Sequence, residues 1–197
     1  MDDTAALGLD TAAEAFATAA VGGLLDPAVQ ALITQAGALR HLPDQAQALL
    51  EQARAAAPHH PLPLIALYRF HFYGHRVAQA RDVALAALAL ARKALGPQFG
   101  HTTPTDVQAR HNAAVRFYLF TLKGLAYLNL RLGQLEPARQ ALTELKHLDP
   151  GDHVGAGVLG HVLHHALARA DAATAPDDND DSEPPVYPAR GWGSATW

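Results

Sequence analysis

Residues 122–150, LKGLAYLNLRLGQLEPARQALTELKHLDP, set the strongest constraint on what this chain can fold into. Apolar residues recur at helical spacing, Gly133 interrupts them, a second apolar helix follows, and Asp149-Pro150 ends it. Each helix has one apolar stripe to bury, so the segment predicts a helical hairpin within an all-α domain. The rest of the chain is punctuated in the same way. Pro43 and Pro137 stand where helices begin, because the missing N–H would be unpaired there anyway. Gly96 and Gly133 stand where helices stop, at a position that favours left-handed backbone. Asp152 reads as the N-cap of the last helix. Helices are predicted near 10–22, 27–39, 43–57, 62–73, 77–95, 112–132, 136–148 and 153–170.

The hairpin recurs. After Gly133, the residues Ala138, Leu142, Leu145 and Pro150 share their offsets with Ala46, Leu50, Ala53 and Pro58. A weaker copy over residues 61–94 carries Ala80, Ala84 and Ala87, with His75 at the turn and Arg92 at the proline position. Units start near 27, 61 and 119, so the first step is 34 residues and the second is 58, or 34 with an insertion of 24 that includes GPQFGHTTPTDVQARHN. A 34-residue helix–turn–helix with small residues at the crossing and proline at the end resembles the tetratricopeptide repeat. The likeness covers about residues 27–150. It implies a short right-handed α-solenoid, with 153–170 as the capping helix such arrays need. Thr34 and Ala126 keep close to the small residue usual in the first helix, and Tyr68 departs from it. The competing reading is an unrelated alanine- and leucine-rich bundle. The chain then divides into an N-terminal helix or arm (1–26), a helical domain (27–170) and an acidic, proline-rich tail (171–197) predicted to be disordered.

With 197 residues, the chain can bury a sizeable core without metal or disulfide. It has no cysteine, which excludes a disulfide framework, a thiolate zinc site, an iron–sulfur cluster and a cysteine nucleophile. The N-terminus opens on acids, and apolar runs such as VALAALALA are too short to cross a bilayer, so a soluble cytoplasmic protein is expected. The net charge of −4 is unevenly spread: −5 over residues 1–60, +7 over 61–140, −1 over 141–170 and −5 over 171–197.

Aromatic residues concentrate within that basic middle. Eight of thirteen lie in LYRFHFYGH and RFYLFTLKGLAY, each the first helix of a unit. In tetratricopeptide arrays that helix lines the concave groove, so the resemblance implies a groove wall of Arg69, Phe72 and Tyr73 from the second unit. Phe120, Lys123, Tyr127 and Arg131 would come from the third. Phe70, Phe117 and Tyr118 read as core. Arginine and lysine supply charge-assisted bonds to carboxylates, and tyrosine supplies flat apolar area. The complement is an acidic peptide or an acidic protein face, and the acidic tail itself could compete for the same groove.

Catalytic chemistry finds little support. The chain has two serines, Ser182 and Ser194, both in the tail, so no serine–histidine–acid arrangement is legible and no enzyme is expected. GAGVLG (155–160) matches G-x-G-x-x-G, but a helix precedes it where a dinucleotide site needs a strand. Close packing of Ala156 and Gly160 against a neighbouring helix is the better account. Among twelve histidines, His71/His75 and His161/His165 are four apart, with His164 adjacent, which makes a histidine-based metal-binding carrier the alternative function. Neither cluster has a nearby carboxylate, and Arg69 and Arg76 oppose a cation at the first, so no metal or other cofactor is expected. The basic middle lacks any nucleic-acid-binding pattern, so neither nucleic acid nor membrane is an expected partner.

Three segments together, PLPLIALYRFHFYGHR, VRFYLFTLKGLAYLNLRLGQL and LDPGDHVGAGVL, resemble a family of small tetratricopeptide-like proteins encoded among nitrogen-fixation genes in proteobacteria. The likeness covers about residues 43–160. It implies a non-enzymatic accessory factor that binds nitrogenase components or assembly proteins.

Overall fold

A computed structural model describes residues 4–20 and 25–174, with the side chains of 8–19 and 25–172. Among the described residues there are nine helices and no strand: α1 (Thr4–Ala20), α2 (Pro27–Ala38), α3 (Pro43–Ala56), α4 (Pro61–Tyr73), α5 (Val77–Leu95), α6 (Asp106–His111), α7 (Ala113–Arg131), α8 (Leu135–Leu148) and α9 (Gly157–Thr174). The protein is all-α. The disorder predicted for the tail lies outside the described residues from 175 onward.

Local chemistry explains most boundaries. Proline opens α2, α3 and α4, and the Asp26 carboxylate accepts the Ala28 N–H at 2.7 Å. Gly96 ends α5 at φ 83° and Gly133 follows α7 at φ 69°, a region costly for any residue with a Cβ. The helices differ from the sequence expectation at both termini and in the insertion: α1 begins at Thr4 instead of residue 10, and α9 runs to Thr174 instead of 170. The insertion contains α6, started by a capping box in which the Thr105 side chain accepts the Gln108 N–H and Gln108 reaches back to the Thr105 N–H. Asn112 then ends α6 and caps α7, its side-chain oxygen accepting from Ala114 and Val115. The last helix begins at Gly157 instead of 153. Asp152 sits in the left-handed region at φ 52°, and its carboxylate reaches forward to the N–H groups of Ala156 and Gly157 at 2.6 and 3.2 Å. It serves the first turn of α9 across a loop.

Consecutive helices pack on one another as α2–α3, α3–α4, α4–α5, α7–α8 and α8–α9, with α5 lying against α7 across the insertion and α6 resting on α7. Ala80, Ala84, Ala87 and Ala91 are all buried along α5, and their small side chains permit a close approach. α1 does not stand off as an arm. It packs on α7 and α4, and Leu9, Ala12, Ala13 and Phe16 join the same core as Phe117, Tyr118, Leu119 and Leu122. No helix among the described residues is long and apolar enough to cross a membrane.

Candidate protein-binding surface

Aromatic side chains from α4 and α7 meet in the space between those helices. Tyr68 and Phe72, one turn apart on α4, stack with ring centres 5.7 Å apart. Phe72 in turn touches Tyr127 of α7 at 5.8 Å and meets Tyr73 edge-on at 5.5 Å. Tyr68 is buried at the base of this ladder and Tyr73 is 49% exposed at its rim. Tyr68 packs against Gly124: a Cβ built there would lie 3.1 Å from the Tyr68 hydroxyl, close enough that the phenol would have to give by a few tenths of an ångström. Burial, followed by the neighbouring Tyr127 and Tyr73, raises the Tyr68 pKa well above the ordinary tyrosine value.

Two guanidinium groups flank the rings. Arg131 lies 5.8 Å from the Tyr127 ring centre and donates to its hydroxyl at 2.8 Å. Among the described residues no carboxylate lies within ion-pair distance of Arg131. Arg69 lies 5.9 Å from the Tyr73 ring centre and pairs with Asp10 of α1, Nη1 to Oδ2, at 2.8 Å. The arrangement presents flat apolar area with positive charge at its edge, a combination suited to carboxylates and to extended chain.

Five of the seven residues expected to line the groove therefore come together: Arg69, Phe72, Tyr73, Tyr127 and Arg131. The other two are engaged elsewhere. Phe120 lies under α1, where a Cβ built on Gly8 would come within 2.5 Å of its ring, and Arg116 stacks over it at 5.3 Å. Lys123 donates Nζ–H to the Val154 carbonyl at 2.6 Å and so ties α7 to the loop before α9. Burial lowers the Lys123 pKa, and the nearby Asp152 charge partly opposes that shift. Sequence reasoning missed Tyr68 as a ladder member and Asp10 as the partner of Arg69. The i, i+4 spacing of Tyr68 and Phe72 was a signal for the first, and nothing local pointed to the second.

The other motifs resolve differently. His71 is buried, and its Nδ1 accepts from Arg76 Nε at 3.1 Å. Burial and then the Arg76 charge lower the His71 pKa, with Glu51 acting the other way. His75 lies past the end of α4 in the left-handed region, at φ 57°. His161, His164 and His165 are exposed on α9. Among the described residues no three histidine or carboxylate side chains converge as a metal site. In GAGVLG, Gly155 belongs to the loop at φ 67°, and Gly160 is exposed with no heavy atom within 4 Å of an added Cβ. Of the pair expected to pack closely, Ala156 is buried, as is Val154 before it, and Gly160 is not.

No protein-family model and no solved structure matches the chain. A curated relative does: an uncharacterized 19.8 kDa protein in the nifW 5′ region of Azotobacter chroococcum mcd 1, 37% identical over 126 residues. The alignment spans 59% of this chain and 68% of that protein. Identity at that level, sustained over two thirds of the relative, places this chain in the family of the Azotobacter chroococcum nifW-region protein.

Proposed function

We propose that the chain is a non-enzymatic adaptor built from tetratricopeptide-like hairpins in a short right-handed solenoid, whose aromatic–basic surface holds an acidic segment of a partner protein. The pairing of α2 with α3, α4 with α5 and α7 with α8 supports the solenoid reading, as does the 34-residue step from Pro27 to Pro61. The observation that carries the binding role is the Tyr68–Phe72–Tyr127 ladder with Arg69 and Arg131 at its edge. Tyrosine and arginine are favoured where a few residues supply most of the binding energy. The location of the relative in a nifW region points to nitrogen fixation, and so to nitrogenase components or their assembly proteins as partners.

Two measurements test this. Immobilised full-length chain should retain a nitrogenase component or assembly protein from nitrogen-fixing cells, identified by mass spectrometry. Arg131→Glu combined with Tyr73→Ala should weaken that capture severalfold. Undiminished capture would remove the surface assignment. Deletion of the gene should slow growth on dinitrogen while leaving growth on fixed nitrogen unchanged, and normal growth on dinitrogen would remove the nitrogen-fixation role.

A further inference from the structure

The chain carries its own candidate occupant for this surface. Beyond α9, residues 177–183 hold five carboxylates (Asp177, Asp178, Asp180, Asp181 and Glu183) and no base, followed at once by Pro184-Pro185-Val186-Tyr187-Pro188. Proline-rich chain adopts polyproline II at little entropic cost and is recognised by shallow grooves of aromatic rings, with charged side chains at the rim fixing its direction. The ladder between α4 and α7 has that character. We infer that residues 177–188 dock on the Tyr73–Phe72–Tyr127 ladder, with the prolines against the rings and the acidic run against Arg131.

Geometry permits the return. The loop leading into α9 is held at Lys123, one turn before Tyr127 on α7. The 18 residues of α9 carry the chain about 27 Å away. From Thr174 to Pro184 the chain can extend about 33 Å, enough to come back. Arg131 offers a charge that no described carboxylate engages.

The inference rests on the surface proposed above, yet it is read with no partner present. Trp192 and Trp197 lie past the docked segment, so the probe is Tyr187→Trp combined with Trp192→Phe and Trp197→Phe; with this background as wild type, indole fluorescence of the full-length protein reports the docked segment alone. Docking predicts acrylamide quenching severalfold weaker than that of a synthetic 175–197 peptide with the same three changes. Arg131→Glu, or Pro185→Ala with Pro188→Ala, should raise quenching to the peptide's level, and added salt should raise it in the wild type by screening the ion pairs. Combining Arg131→Glu with Asp180→Lys and Asp181→Lys should restore protection, a rescue that misfolding does not produce. Peptide-like quenching in the wild type overturns the inference, as does protection that none of these changes releases. A free tail would leave the adaptor reading standing, and failed partner capture would leave tail docking standing.

Discussion

Phe16 of α1 lies flat on Phe117 of α7, with ring centres 4.9 Å apart and planes 13° from parallel. Both rings are fully buried, so the first helix belongs to the core and covers part of the wall formed by α4 and α7. The aromatic ladder lies toward the C-terminal ends of the two helices.

Removing the Phe16 ring should therefore be costly. Phe16→Ala is expected to lower unfolding free energy by about 3–5 kcal/mol, through lost burial and the cavity left behind. Urea unfolding measures this. A loss below about 1 kcal/mol, in the range of an ordinary surface change, would mean that α1 is not held in the core.

The ion pair between Asp10 and Arg69 should matter much less to stability. Its side chains are 23% and 49% exposed, and solvent screens such pairs to about 1 kcal/mol or less. Asp10→Asn should leave the unfolding midpoint nearly unchanged while freeing Arg69 for an incoming carboxylate. A large fall in the midpoint would show that charge, and not the Phe16 face, fastens α1.

Alkaline pH should weaken the fold through two phenols. Burial, the largest cause for both, raises the pKa values of Tyr68 and Tyr118 above 10.0, and a close Glu144 carboxylate adds to the shift at Tyr118. Above 10.0 the unfolded chain loses these protons while the folded protein keeps them. Their contribution is therefore intact below the ordinary value and falls as pH rises toward the folded values. Urea midpoints taken across that range should drop, and Tyr68→Phe should flatten the drop. An unchanged slope in the variant would assign the loss to other groups.

His153 fastens the insertion to the loop before α9. Its ring nitrogens lie 2.5 Å from Asp149 Oδ1 and 2.7 Å from Asp106 Oδ1, and the buried Asp149 also accepts the Val154 N–H at 3.0 Å. His153→Ala should cost about 1.5–3 kcal/mol, the range for a hydrogen bond to a charged group. It should also speed amide exchange over residues 106–111. Unaltered exchange there would mean that α6 is held by its apolar contacts alone.

Which features the sequence disclosed follows from the range of the interactions behind them. Pro43 acts within one helical turn, so the start of α3 could be read from a single residue, and Gly96 and Gly133 gave the stops in the same way; Pro137, read likewise, lies inside the first turn of α8, which begins at Leu135. The short α6 has no apolar period to detect, though the Thr105–Gln108 spacing was a capping signal within reach. Asp152 misled because an N-cap and a left-handed loop residue suit the same side chain. At the surface, the offsets picked out Arg69, Phe72, Tyr73, Tyr127 and Arg131, which lie beside one another. They failed for Phe120 and Lys123, whose partners Gly8 and Val154 are far away in sequence and bring in elements outside the repeat.

The meeting of Tyr68 with Gly124 constrains this family in a way that alignments can check. A Cβ at 124 would sit 3.1 Å from the phenol oxygen, so members carrying alanine or serine there should either shift the ring by a few tenths of an ångström or bear a smaller residue in place of Tyr68. The two positions are predicted to vary as a couple, and where the tyrosine is traded away the stacking partner of Phe72 goes with it. Divergence at one helix crossing would thereby retune what each member can grip.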